Sequence, residues 1–234
     1  MEKPILFNTA MVKAILEGKK TCTRRIIKRT PSNDEPCGYG FWKEFNESDN
    51  TWYIKDYTHS CIWWAEKEYI EKFSKYHVGD ILYVRETWFE GDILDSNEDI
   101  VERNIVLYRT DDLSKHGIEG IKWSPSIHMS KRLARIFLEV TEVKVERLQD
   151  ITEDGARKEG IREYTKDGNL FKYAVNEEQY KWSQMPKNPI EPFKSLWDST
   201  VNKKDIDKYC WDANPWVWVI TFEKINKDEV NRDE

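Results

Sequence analysis

Residues 135–147 constrain the fold most, because apolar and polar side chains alternate along them and several of the residues are β-branched. This pattern favours a strand with two different faces over a helix. Shorter apolar or alternating runs occur at residues 81–88, 105–108 and 216–222, and Val78-Gly79-Asp80 is typical of a turn that opens a strand. Because helical patterns rarely separate these runs, the sequence predicts an α+β fold that is mainly β, a partly open β-barrel with flanking helices.

The 234 residues, of which 39% are hydrophobic, can bury one large core. We expect a single domain over residues 1–225, followed by a highly charged, frayed tail at 226–234. Two stretches rich in turn residues or prolines interrupt the strand pattern, and we interpret residues 30–77 and 162–192 as insertions that pack on the barrel. A short helix is predicted over residues 193–199, with its apolar side chains buried.

Residues 18–25, Gly-Lys-Lys-Thr-Cys-Thr-Arg-Arg, link a predicted helix to a predicted strand and are called the signature segment below. Asn8 or Thr9 can cap the start of that helix through a side-chain oxygen. Gly18 can adopt the left-handed conformation that ends a helix. The signature segment therefore begins at a helix end and continues as an extended strand.

Side chains alternate along a strand, so Thr23 and Arg25 are expected on one face and Arg24 on the other. Lys20 precedes the strand and has a stem long enough to reach the face of Thr23. A hydroxyl, an ammonium and a guanidinium are thereby placed within reach of one another. Basic residues at a helix C-terminus also favour the helix dipole, so a solvated surface is the alternative for this segment.

Gly18, Lys20 and Arg25 match the Gly-x-Lys-x-x-Glu-x-Arg signature of the ASCH family, a branch of the PUA-like β-barrels, which the chain therefore resembles. Thr23 stands where most of that family has glutamate, and this variant resembles the subset that hydrolyses N4-acetylcytidine. Other motifs resemble longer ASCH proteins that are common in bacteriophage genomes: Val84-Arg85-Glu86-Thr87-Trp88, Pro125-Ser126-Ile127-His128-Met129 and Trp211-Asp212-Ala213-Asn214-Pro215-Trp216.

The resemblance implies a pocket beside the signature segment that recognises RNA or a modified nucleoside. The alternative that it implies is an amidohydrolase in which Lys20 removes a proton from Thr23 and Thr23 attacks the acyl carbon. Glu159 matches the glutamate that the hydrolase subset carries on a helix after its central strands, and it would position the lysine or shuttle a proton. Arg25 would bind an oxygen of the base or stabilise developing negative charge.

The local sequence supports a helix before Glu159. Asp150-Ile151-Thr152-Glu153 is interpreted as a capping box, and Gly160 can end the helix. Glu159 would lie in the last turn, where a carboxylate faces the negative end of the helix dipole. The sequence therefore predicts that Glu159 meets a cation such as Lys20 or serves a functional purpose, and a simply solvated glutamate is the alternative.

Three residues of a basic cluster, Arg25, Arg24 and Lys19, are predicted to bind substrate or RNA. Arg25, Arg24 and Lys19 belong to a basic cluster at residues 19–29, and a second cluster comprises Lys131, Arg132 and Arg135. If the two clusters converge, they would form a track for a single strand or a structured RNA, with aromatic side chains stacking on bases. If they diverge, they are ordinary solvated faces.

Two further candidates lie outside the basic clusters. Arg85 shares a strand face with Ile81 and Tyr83, which makes it a candidate for the pocket floor. His128 is expected beside Ser126 in the pocket, or alternatively as a hydrogen-bonded structural residue. Both residues are predicted to bind the RNA or nucleoside ligand.

Composition excludes several other classes. The net charge of −6 argues against broad, non-specific binding of duplex phosphates. The absence of a long apolar run and of a signal-peptide pattern predicts a cytoplasmic protein without a membrane partner. The four cysteines form no Cys-x-x-Cys pair, so free thiols are expected, and a zinc site at Cys37, His59 and Cys61 is the less favoured alternative. No cofactor or metal is predicted, and the sequence does not indicate an oligomeric state.

Overall fold

The computed structural model describes residues 1–28, 41–56, 63–94, 100–111 and 121–227. In these residues twelve strands and five α-helices form an α+β fold that is mainly β, as the alternation predicts. The strands are β1 (Glu2–Leu6), β2 (Cys22–Ile26), β3 (Phe41–Asn46), β4 (Thr51–Asp56), β5 (Trp63–Ala65), β6 (Ile81–Arg85), β7 (Trp88–Leu94), β8 (Ile100–Tyr108), β9 (Phe137–Arg147), β10 (Arg162–Thr165), β11 (Phe171–Ala174) and β12 (Trp216–Ile225). The helices are α1 (Thr9–Leu16), α2 (Glu66–Phe73), α3 (Glu153–Lys158), α4 (Ile190–Thr200) and α5 (Ile206–Tyr209).

The largest sheet has five strands in the order β1-β6-β9-β12-β2. Strands β1 and β6 are parallel, whereas β6 and β9, and β12 and β2, are antiparallel. Three smaller antiparallel sheets consist of β3-β4-β5, β7-β8 and β10-β11. No sheet in the described part of the chain closes into a barrel.

The chain divides into two compact units. The first contains Met1–Lys20, Asp80–Glu139 and Glu223–Glu234, and the second contains Thr21–Gly79 and Val140–Phe222. In the first unit Met129, Leu133 and Phe137 form a buried cluster against partly buried aromatic side chains. In the second unit Tyr69 is fully buried and stacks on Trp218 with 5.8 Å between the ring centroids. Each unit therefore has its own apolar core.

Two of the predicted strands differ from those observed. The run 81–88 is interrupted at Glu86, because β6 ends at Arg85 and the backbone N–H of Glu86 donates to the sulfur of Met129 at 3.2 Å. Trp88 instead begins β7, which pairs with β8, and residues 105–108 are only the end of that longer strand. A buried carboxylate at Glu86 thus breaks a pattern that looks continuous in sequence.

The two predicted insertions contain regular structure. The described part of residues 30–77 includes β3, β4, β5 and α2, and residues 162–192 include the β10-β11 hairpin. Polar side chains on both faces hide this hairpin from an alternation argument. The predicted helix at 193–199 is confirmed within the longer α4, where Phe193 and Trp197 are buried. The turn-rich stretch 30–36, Arg29 and most of the predicted tail lie outside the described residues.

Candidate functional site

Helix α1 ends immediately before the signature segment, as predicted. Asn8 is the N-cap, and its side-chain oxygen accepts a hydrogen bond from the backbone N–H of Met11 at 2.9 Å. Gly18 has a φ of +70°, a value that glycine tolerates better than residues with a Cβ. The sequence therefore identified both ends of the helix that leads to Lys20.

The two lysines after Gly18 have different environments within the first unit. Lys20 is only 3% exposed, and its ammonium lies 5.5 Å from the centroid of the Phe7 ring. Lys19 is exposed and forms an ion pair with Glu17 at 3.3 Å. Lys20 therefore has the burial expected of a functional lysine, whereas Lys19 lies on the surface.

Strand β2 belongs to the second unit and pairs with β12, so that Thr23 is opposite Ile220 and Arg24 opposite Val219. Thr23 and Arg24 are both buried although they lie on opposite faces of the pleat. Both faces of β2 are therefore covered, and a hydroxyl and a guanidinium are held in the interior.

Arg24 lies between two carboxylates. Its Nη1 contacts Oε1 of Glu159 at 3.3 Å, and its Nη2 contacts Oε2 of Glu146 at 3.3 Å. The side chains of Arg24 and Glu159 are each 5% exposed, whereas that of Glu146 is 31% exposed. The guanidinium also lies 6.0 Å from the ring centroid of Phe193. Glu159 therefore forms a buried ion pair with Arg24.

Helix α3 positions Glu159 at its C-terminus. Thr152 is the N-cap and accepts a hydrogen bond from the backbone N–H of Gly155 at 3.0 Å. The predicted capping box, in which Asp150 would be the N-cap, is therefore wrong, because the N-cap is Thr152 and the helix begins at Glu153. Glu159 is the C-cap residue, and Gly160 follows with a φ of +97°. The predicted helix end at Gly160 is confirmed.

Gly155 lies where α3 contacts β2. A Cβ at this position would lie 3.4 Å from Nη2 of Arg24 and 3.1 Å from the side chain of Ile151. The backbone carbonyl of Gly155 also lies 4.0 Å from the sulfur of Cys22. An added Cβ would therefore need a shift of a few tenths of an ångström in the side chain of Ile151 and would touch the Arg24 guanidinium at ordinary van der Waals distance.

Arg25 is partly buried on the same strand. Burial lowers the pKa of its guanidinium below the ordinary value, and the charges of Tyr76 and Glu159 act in the opposite direction. Glu159 therefore influences both arginines of β2. Sequence reasoning missed Glu146 and Tyr76; the signal for Glu146 was that an inward arginine requires a carboxylate from a neighbouring element.

The first unit contains Arg85 and His128. The guanidinium of Arg85 donates a hydrogen bond to the carbonyl of Ile127, the residue that precedes His128. Arg85 is partly buried and His128 is exposed. Arg85 thus lies against the backbone of the segment that carries His128 and uses one of its donors there.

Carboxylates neutralise the second basic cluster. Lys131 pairs with Glu2 at 2.6 Å, and Arg132 contacts both oxygens of Glu90 at 2.7 and 2.6 Å. Arg135 binds the buried Glu86 at 2.9 Å and Asp111 at 2.6 Å. Because each cation has an acidic partner, this cluster is not a free phosphate-binding surface. Sequence reasoning missed these acids, which are distant in the chain.

Other features bear on metals, thiols and membranes. No group of three or more potential metal-binding side chains occurs in the described residues, and Cys37, His59 and Cys61 of the weighed zinc site lie outside them. Cys22 is buried and Cys210 is partly buried, both as free thiols. Within the described ranges, no helix has the length and apolar character needed to cross a membrane.

No protein-family model, curated protein or solved structure matches the chain.

Proposed function

We propose that the chain recognises a nucleoside through strand β2, with Thr23 and Arg25 contacting the ligand and the pair of Arg24 and Glu159 fixing the strand. This proposal includes the PUA-like, ASCH-type arrangement that the signature segment implies. Its main support is burial: of eight buried polar or charged residues in the described part of the chain, four are Lys20, Thr23, Arg24 and Glu159. Burying polar groups costs free energy, and three of these four residues, Thr23, Arg24 and Glu159, belong to the second unit, which supports a functional requirement at strand β2.

Charge pairing favours a nucleoside over an RNA chain. RNA binding of the broad electrostatic kind needs unpaired cations that neutralise phosphates and release counterions. The net charge is −6, and the second basic cluster is paired with carboxylates. A ligand that presents a base and a sugar needs few cations, whereas a polyanion needs many.

Equilibrium binding of cytidine, N4-acetylcytidine and a short single-stranded RNA to the full chain tests this proposal. We expect a nucleoside to bind with little dependence on salt, and Thr23→Val to weaken it at least about tenfold by removing one buried hydroxyl partner. Thr21→Val is the matched control, because it makes the same change two residues earlier on the strand face. Tight RNA binding that falls steeply with salt, together with no nucleoside binding, would refute the proposal.

Amide hydrolysis is the second candidate function. It is favoured by the presence of a lysine and a threonine, 3% and 4% exposed, at the signature positions of the hydrolase subset. In this reaction Lys20 accepts the Thr23 proton, the threonine oxygen bonds to the acyl carbon, and the bond from carbon to N4 breaks as N4 gains a proton. Water then releases acetate and regenerates the threonine.

Release of cytidine from N4-acetylcytidine separates the two candidates. If the chain is a hydrolase, Lys20→Met and Thr23→Val both abolish turnover, and Thr21→Val retains it. If the chain binds N4-acetylcytidine without releasing cytidine, the recognition proposal stands and hydrolysis is rejected. Circular dichroism of each variant establishes that it is folded.

A further inference from the structure

Arg147 is a partly buried arginine of the second unit and the last residue of β9. Its Nη1 donates a hydrogen bond to the carbonyl of Asn214 at 3.0 Å, and within the described residues no carboxylate forms an ion pair with it. Arg24 and Arg135, in contrast, each contact two carboxylates. The charge of Arg147 is therefore not neutralised by an ion pair in the part of the chain that the structure describes.

The guanidinium of Arg147 is held in one position. It lies 4.4 Å from the ring centroid of Trp216, the first residue of β12. Burial lowers the pKa of this guanidinium below the ordinary value, and the charge of Asp150 acts in the opposite direction. A guanidinium that stacks on a ring keeps the N–H donors along its edge available, and two of them can bind the oxygens of one phosphate in parallel. Arg147 is therefore oriented to bind an oxyanion.

Strand register connects Arg147 to the face of β2 that carries Thr23 and Arg25, called the ligand face below. Arg25 is opposite Trp218, and residues directly opposite each other in an antiparallel pair share a face. Side chains alternate along β12, so Trp216 is on the same face, about 7 Å beyond Trp218. The ligand face therefore continues along β12 to the ring on which Arg147 stacks.

The ligand face opens toward solvent in the direction of Arg147. Thr23 and Trp218 are buried, whereas Arg25, Trp216 and Arg147 are only partly buried. A ligand that contacts the Thr23 hydroxyl would extend past Arg25 toward the solvent. The part of the ligand that is best hydrated would then lie near the guanidinium of Arg147.

We propose that Arg147 binds a phosphate group and that the ligand is a nucleoside monophosphate. This inference rests on the proposed recognition of a nucleoside by β2 and adds the charge of the ligand to it. A phosphate monoester carries a charge of about −1.5 to −2 at pH 7, which one arginine without a carboxylate partner can balance in large part. An RNA chain presents a phosphate at every nucleotide and needs many such cations. A single phosphate therefore fits this site better than a polyanion does.

Calorimetric binding of the four common ribonucleosides and of their 5′-monophosphates to the full chain tests the proposal at fixed ionic strength. We expect one monophosphate to bind at least about tenfold more tightly than its own nucleoside, because a charge-assisted contact is added. If a nucleoside binds and its monophosphate binds no more tightly, this proposal is overturned while nucleoside recognition stands. If no nucleoside and no monophosphate binds, both proposals are overturned.

Inorganic phosphate is the reference for the phosphate group alone. We expect it to bind at least about tenfold more weakly than the preferred monophosphate, because it lacks the contacts of the base and the sugar with the ligand face. Inorganic phosphate that binds as tightly as the monophosphate would indicate a site for free phosphate and would overturn the nucleotide assignment.

Two variants separate phosphate binding from support of the neighbouring turn. Arg147 holds this turn through the carbonyl of Asn214, and Gln149 holds it through the carbonyl of Trp211 at 2.9 Å. Arg147→Gln is expected to lower the affinity for the monophosphate to that for the nucleoside, about tenfold or more, and to leave nucleoside affinity unchanged. Gln149→Ala loosens the same turn without a change of charge, so the ratio of the two affinities should remain that of the unmodified chain.

The same ratio shows whether Arg147 acts only as a support. Equal losses of nucleoside and monophosphate affinity in Arg147→Gln, or a lowered ratio in Gln149→Ala, would overturn the assignment of phosphate binding to Arg147. Arg147→Lys keeps the charge and loses the planar pair of donors, and we expect it to lower the ratio about threefold. An unchanged ratio in Arg147→Lys would contradict binding through two parallel hydrogen bonds. Circular dichroism establishes that each variant is folded.

Discussion

Glu159 and Glu146 provide a direct measure of what burial adds to an ion pair. Both contact the same guanidinium, Arg24, at the same distance of 3.3 Å. They differ in exposure, because the side chain of Glu159 is 5% exposed and that of Glu146 is 31% exposed. The substitutions Glu159→Gln and Glu146→Gln therefore remove the same charge from the same partner in two different environments.

The expected costs follow from that difference. Removing one member of a buried ion pair leaves an uncompensated charge and costs about 3–5 kcal/mol. Glu146 still contacts Arg24 in Glu159→Gln, so we expect a loss near the lower limit, about 3 kcal/mol. A pair with a partly exposed member is screened by water, and we expect Glu146→Gln to cost about 1 kcal/mol or less.

Urea unfolding followed by tryptophan fluorescence measures both losses. All three residues belong to the second unit, so the two variants report on the same structure. Thermal unfolding gives a second measure of the same losses. For a chain of this size each 1 kcal/mol lost from the free energy of unfolding lowers Tm by about 2–4 °C, so Glu159→Gln should lower Tm by about 6–12 °C. Equal shifts in the two variants would show that burial does not govern this pair.

Three further measurements test other elements. Thr152→Ala should cost about 1 kcal/mol in urea unfolding, because it removes the side-chain cap of Gly155 N–H in α3. Glu86→Gln should cost about 1 kcal/mol, because the cation left behind, Arg135, is 31% exposed and keeps its ion pair with Asp111; a loss above about 3 kcal/mol would contradict this. Burial, assisted by charges such as that of Glu86, raises the pKa of Tyr108 above its ordinary value of 10.0. The folded state therefore binds the phenol proton more tightly than the unfolded state does. The resulting contribution to the free energy of unfolding is fully present below about pH 10, and it is lost as the pH rises through the pKa of Tyr108 in the folded state. Spectrophotometric titration of the tyrosines measures this raised pKa, and Tyr108→Phe should remove the ionisation step that belongs to Tyr108.

Local signals in the sequence predicted the elements around the candidate site well. Asn8 and Gly18 act through their own backbone and side chain, so the ends of α1 can be located without knowledge of the fold. The alternation at 135–147 corresponds to β9, in which buried and exposed side chains alternate, and the continuous apolar run at 216–222 corresponds to the part of β12 that is buried on both faces. The candidate residues Lys20, Thr23 and Glu159 are all buried.

Their partners could not be predicted from the sequence, because the contacts are distant in the chain. Glu159 was expected to meet a cation such as Lys20, and the structure pairs it with Arg24 across 135 positions. The pairing of Arg135 with Glu86 likewise depends on a chain reversal that no local pattern indicates. The β10-β11 hairpin was missed because its strands have only four residues each and carry polar side chains on both faces.

The pairing of β2 with β12 has a consequence for biosynthesis. Cys22 is aligned with Thr221, so β2 pairs with a strand that lies about 200 residues later in the chain. During translation β2 leaves the ribosome early and remains an unpaired edge until nearly the whole second unit has been made. Strands with such distant partners fold slowly and are exposed to wrong pairing in the interval. We therefore expect ribosome-bound chains that end before Trp216 to leave residues 21–26 accessible to protease, and release of the full chain to protect them.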